Sequence, residues 1–80
     1  MSARPVVMVY TRQRCGLCRL AEDVVAGVAG DRADVVHVDV DDDPALVERY
    51  GVRVPVVSVD GIEVAEAVVD AAAVEAALGR

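Results

Sequence analysis

Cys15 and Cys18 are the only two cysteines in the 80-residue chain, and they stand as Cys15-Gly16-Leu17-Cys18. Thiols three residues apart reach one another with little backbone movement, so the pair can cycle between dithiol and disulfide. The same spacing also supplies two of the four ligands that a structural zinc takes. Arg12, Arg14 and Arg19 flank the pair. Positive charge beside a thiol favours the thiolate, and the thiolate is the form that attacks a disulfide. Cys15 is the expected nucleophile and Cys18 the resolving thiol. The opposing readings are half of a zinc site, or a structural pair.

The elements that position these thiols are legible on either side. Val6-Val7-Met8-Val9 is an apolar, β-branched run that reads as a buried strand, with Tyr10 at its end. After the cysteines, apolar residues recur at Leu17, Leu20, Ala21, Val24, Val25 and Val28, the spacing of one helix face. Cys15 therefore falls just before the first helical turn and Cys18 inside it. Unpaired N–H groups and the positive end of the helix dipole favour an anion there. In this strand-to-helix setting the redox reading outweighs the metal reading.

Alternation of strands and helices continues. Gly27 and Gly30, with Asp31, Arg32 and Asp34, punctuate the helix end, and Val35–Val40 is expected as a second strand. Asp43-Pro44 opens a short helix that Gly51 closes after Tyr50. Val52–Val59 is expected as strand three, interrupted near its start by Arg53-Val54-Pro55. Asp60-Gly61 turns it into strand four, Ile62–Ala65. Asp70 caps a last helix, Ala71–Leu78, with Val74, Ala77 and Leu78 inward. The predicted order is β-α-β-α-β-β-α, an α/β fold with a mixed four-stranded sheet and helices on both faces.

Length and composition narrow the function classes. Eighty residues make one domain, 1–80. There is no Phe or Trp, so the core is built from Val and Ala, with Tyr10 and Tyr50 as its aromatics. A net charge of −6, with no basic tract, excludes a phosphate-tracking surface and hence nucleic acid. No apolar run approaches the roughly 20 residues that span a bilayer. Met1–Pro5 carries no signal-peptide pattern, so a cytoplasmic location is expected, and a monomer with it.

The stretches Val-Tyr-Thr-Arg-Gln-Arg-Cys15-Gly-Leu-Cys18, Tyr-Gly-Val-Arg-Val54-Pro55-Val-Val and Asp60-Gly61 resemble the glutaredoxins of the thioredoxin superfamily. The resemblance runs from Val6 to Leu78 and is to a short, atypical bacterial branch. It implies a thioredoxin fold, a cis Val54-Pro55 bond, and a Val54 backbone that pairs with substrate as an added strand. It implies substrate contacts from Tyr10 and Arg53, and places Arg12 where glutaredoxins usually hold glutathione carboxylate with a lysine.

Three departures qualify the partner. Cys-Gly-Leu-Cys replaces Cys-Pro-Tyr-Cys, Arg53 stands where Thr is common, and the Gly-Gly-x-Asp-Asp stretch that caps glutathione is missing. The expectation is a thiol–disulfide oxidoreductase that reduces protein or small-thiol mixed disulfides and needs no bound cofactor. Its reductant is a reductase or a low-molecular-weight thiol, with glutathione used poorly. The alternatives on the same fold are an iron–sulfur or zinc carrier and a non-catalytic peptide-binding module. Asp39-Val40-Asp41-Asp42-Asp43 reads as a solvated loop with helix caps, and His37 as a partly covered structural histidine. Tyr10 either shields the thiolate or packs.

Overall fold

In the computed structural model, which describes residues 4–79, the first apolar run forms β1, Val6–Thr11. It lies inside a four-stranded sheet with β2 (Asp34–Asp39), β3 (Val56–Val59) and β4 (Ile62–Glu66), in the order β2-β1-β3-β4. β1 and β2 are parallel, from Val6 opposite Asp34 to Thr11 opposite Asp39. β3 is antiparallel to both β1 and β4, with Tyr10 opposite Val56 and Val9 opposite Val57.

Alternation along the central strands divides the core in two. Val7, Val9, Val57 and Val59 point to the face covered by α1 (Gly16–Ala29) and α3 (Ala71–Leu78), where Val25, Ala29 and Val74 complete the larger cluster. Tyr10 and Val56 point to the other face. There they meet Val40 and Tyr50, the latter from α2 (Pro44–Tyr50). Helices thus lie on both faces of a mixed sheet, and the element order is the predicted β-α-β-α-β-β-α.

Local sequence accounts for the boundaries. Asp43 and Asp70 cap α2 and α3 by accepting from the Ala45 and Ala72 amides, each at 2.9 Å. Asp60 and Gly61 both take positive φ, 51° and 87°, as a two-residue hairpin turn requires. Asp60 also accepts from the Val6 amide at 2.9 Å, tying that turn to the start of β1.

Several boundaries differ from expectation. Strand three begins at Val56, not Val52, because Gly51, Val52 and Arg53 turn back on α2: the Arg53 amide donates to the Tyr50 carbonyl. Val52 is fully exposed there. β2 ends at Asp39, and Val40 opens a short 3-10 turn, Val40–Asp42, that carries its side chain into the second core. The buried stripe of α1 is Cys18, Ala21, Val25 and Ala29, so Leu17 and Leu20 are exposed, at 45% and 61%. β4 runs one residue further, to Glu66. Of the N-terminal reading, residues 1–3 lie outside the described residues.

Candidate active site

The turn between β1 and α1 presents the two sulfurs differently. Cys15 is the N-cap of α1 in extended backbone, partly exposed, and its sulfur accepts from the Cys18 amide at 3.1 Å. Cys18, one turn in, is wholly buried under the helix. The two are joined as a disulfide with Cα atoms 5.1 Å apart, so the structure is that of the oxidised chain. Arg14, immediately before Cys15, takes a left-handed backbone at φ 58°.

The three arginines do not all deliver free charge to the sulfur. The Arg12 guanidinium forks onto Asp41, Nε to Oδ2 at 3.1 Å and Nη2 to Oδ1 at 2.7 Å, and Nη1 donates to the Gly51 carbonyl at 3.2 Å. That fork holds the Asp41 carboxyl below its ordinary range. Arg19 pairs with Glu22 at 2.9 Å and donates to the Arg12 carbonyl at 3.2 Å. Among the described residues, only Arg14 of the three forms no salt bridge. All three arginines are expected from sequence to bring positive charge near the sulfur; Arg12 and Arg19 carry paired carboxylates, Asp41 and Glu22, that offset theirs.

Val54-Pro55 is a cis peptide bond and Pro55 is buried. Extending the β1–β3 register by one residue sets Pro55 opposite Thr11, four residues before Cys15. The Pro55 carbonyl accepts from Ala67 at 2.8 Å, whereas the Val54 amide and carbonyl take part in no hydrogen bond among the described residues. Val54 is half-buried.

Tyr10 packs. Its ring stacks on Tyr50 with centroids 4.1 Å apart and planes 19° apart, and burial, with Tyr50 adding to it, pushes its phenol up. Arg53 is held across the second face by Glu63, at 2.9 and 3.2 Å, and by Glu66 at 3.2 Å, with its guanidinium over the Tyr50 ring. Pairing with Arg53 holds the Glu63 carboxyl below its ordinary range. Nothing in the sequence marks Asp41, Glu63 and Glu66 as neighbours of the site. Opposite charge is their one signal, and nothing local marks which of 14 acidic residues meets which arginine.

His37 differs from expectation: it is exposed on β2 and not partly covered. The acidic run does serve as caps: Asp39 accepts from the Asp41 amide at 2.9 Å. Among the described residues no three His, Cys, Asp or Glu side chains come together to hold a metal. No helix among them is long and apolar enough to cross a membrane.

A disulfide at the N-cap of the first helix, a cis-proline at the head of β3 and this sheet order define a thioredoxin-fold thiol domain. The family model described as Glutaredoxin-like domain (DUF836) matches residues 6–79, and the chain belongs to that family. It is similar to Thioredoxin 1 of Synechococcus elongatus, 34% identical over 55 residues, 65% of this chain and 51% of that protein. It is likewise similar to thioredoxin of Thiocapsa roseopersicina, 33% identical over 55 residues, 65% of this chain and 60% of that one. The chain therefore spans little more than half the length of the curated relatives it matches.

Among solved structures, a structural-genomics target protein from X. campestris superposes with a TM-score of 0.76 at 34% identity, covering 91% of this chain and 95% of that one. A thioredoxin variant from Halobacterium salinarum gives 0.67 at 34%, covering 94% and 72%. Family, relatives and the Cys15–Cys18 pair support a thiol–disulfide redox role in general.

Proposed function

We propose that the chain is a small thiol–disulfide oxidoreductase that reduces protein or low-molecular-weight disulfides, with Cys15 attacking and Cys18 resolving. The observation that carries this reading is the asymmetry of the pair: one sulfur partly exposed at a helix N-cap, the other sealed beneath the same helix. In the reduced chain the N-cap position offers the Cys18 amide and the helix dipole to a Cys15 thiolate. That thiolate attacks a substrate disulfide, forming a Cys15–substrate bond while the first substrate thiolate leaves and takes up a proton. The Cys18 thiolate then attacks the Cys15 sulfur, releasing the second substrate thiolate, which is also protonated. Two electrons pass from the dithiol to the substrate, and the Cys15–Cys18 disulfide is left.

Substrate main chain lies along the Val54 main chain as a short antiparallel strand, and Pro55 floors the groove. A reductase or a low-molecular-weight thiol returns the disulfide to the dithiol in the cytoplasm, and the chain acts as a monomer. Arg53, held by Glu63 and Glu66, fixes the turn that carries Val54. Poor use of glutathione is part of this reading, supported by the missing Gly-Gly-x-Asp-Asp stretch and by the fact that the two curated relatives named above are thioredoxins.

The test is trapping. Cys18→Ser is expected to accumulate a mixed disulfide with a disulfide-bonded substrate such as insulin. Wild type, with dithiothreitol as reductant, turns insulin over without accumulating one. Full turnover by Cys15→Ser, or no adduct on Cys18→Ser, overturns the assignment.

A further inference from the structure

The turn beside Cys15 holds one guanidinium fork that is already filled from within. Arg12 lies three residues before Cys15 and donates to the Gly51 carbonyl, at the start of the turn that carries Val54 and Pro55. Its side chain thus ties the segment that leads into Cys15 to the segment that leads into Val54 and Pro55. Both terminal and inner nitrogens of its fork are spent on one carboxylate, Asp41. A planar fork accepts one carboxylate in bidentate geometry and has no second such face on the same edge.

The pair is also reachable. The Arg12 and Asp41 side chains are 36% and 45% exposed, so solvent and solutes meet both partners. Nothing buries Asp41 in place; it is carried by the exposed 3-10 turn, whose first turn it occupies with Asp42. Asp41 is a tethered carboxylate present at high effective concentration, and a carboxylate arriving on a substrate has to displace it.

We propose that Asp41 is a specificity-determining residue: it occupies the Arg12 fork and thereby disfavours disulfides that carry a carboxylate close to the sulfur. This rests on the thiol–disulfide reading above. The class of substrate it disfavours is small acidic thiols in their disulfide form, and the class it leaves untouched is neutral small disulfides and protein disulfides that pair with Val54. Removing the Asp41 charge frees the fork, so a carboxylate on the incoming disulfide is held while Cys15 attacks the adjacent sulfur. The carboxylate-bearing thiolate leaves, and Cys18 releases its twin, with the electron balance given above.

The experiment uses the reduced full chain, freed of reductant, and follows loss of its thiols on mixing with one of two probes. The probes are 3,3′-dithiodipropionate, which is dianionic, and bis(2-hydroxyethyl) disulfide, which is neutral. Asp41→Asn is expected to raise the rate with the dianion two- to fivefold, roughly the range an exposed ion pair spans, and the rate with the neutral probe by much less. Asp42→Asn makes the same change in net charge on a neighbour whose carboxylate makes no hydrogen bond among the described residues, and is expected to give no such selectivity. Adding Arg12→Gln to Asp41→Asn is expected to abolish the gain. Circular dichroism of each variant confirms that it is folded, and Asp41→Ser serves where Asp41→Asn does not fold. Equal acceleration of both probes, an equal gain from Asp42→Asn, or no gain at all overturns the proposal. Failure of the underlying redox reading has a different signature: wild type then oxidises with neither probe.

Discussion

The Cys18 amide points at the Cys15 sulfur from 3.1 Å, so the two residues of the dithiol are also the two ends of a helix cap. A sulfur in the place of the usual Ser, Thr or Asp oxygen satisfies one of the orphan amides of α1. In the reduced chain the same contact is expected to favour negative charge on Cys15 and not on Cys18, which is wholly buried.

Cys15 is therefore expected to have a pKa below the free-cysteine value of about 8.5 and to be alkylated first near neutral pH. Iodoacetamide labelling of the reduced chain, read by peptide mass, checks this. Faster labelling of Cys18 would reverse the two roles.

Asp41 and Glu63 each have a carboxyl held below its ordinary value, 3.8 and 4.5 respectively, by an arginine partner. The sign follows from linkage: a depressed carboxyl stabilises the fold above its unfolded pKa, and that contribution is lost as pH falls through the folded pKa. Melting temperature is expected to decline on acidification from about pH 5 downward, more gently in Arg12→Gln and Arg53→Gln than in wild type. Both pairs are solvent-exposed, so salt should shrink the difference. A wild-type slope unchanged in both variants would remove these pairs from the account.

Two glycines make opposite predictions. A Cβ at Gly51 would sit 2.5 Å from the Val47 carbonyl oxygen, although its backbone is helical at φ −53°. Glycine is thus required there for space and not for a left-handed turn, and Gly51→Ala is expected to cost about 1–3 kcal/mol. Gly27 lies inside α1 with nothing within 4 Å of its would-be Cβ. Gly27→Ala is expected to stabilise by about 0.5–1 kcal/mol. Urea unfolding of the two variants decides both signs.

Tyr50 is 5% exposed and stacks on Tyr10, so it anchors the smaller core with Val40 and Val56. Tyr50→Ala is expected to cost about 3–5 kcal/mol, a large share of the stability of so small a domain. Tyr50→Phe keeps the ring and is expected to cost less than about 1.5 kcal/mol. A Tyr50→Ala melting temperature close to wild type would show that this face adds little.

Sequence alone determined what depends on residues within a turn of one another. The order of elements follows from apolar periodicity, from Asp43 and Asp70 as caps and from Asp60-Gly61 as a hairpin turn. The place of the dithiol follows from Cys15 lying just before a helical repeat. The cis bond and the thioredoxin fold are legible only through the family resemblance, since a proline in a strand by itself points to an edge, a strand start or a bulge. Tertiary structure decided everything that joins distant segments. Tyr10 meets Tyr50 across 40 positions, and Arg12 meets Asp41 across 29. It also turned α1 so that Cys18, Ala21, Val25 and Ala29 face the sheet while Leu17 and Leu20 face out. A helical repeat fixes which residues share a face, but with Val, Leu and Ala spread around this helix, only the shape of the opposing sheet selects which face is buried. A long guanidinium likewise reaches any carboxylate the fold brings within range, and the identity of that carboxylate is a property of the closed chain.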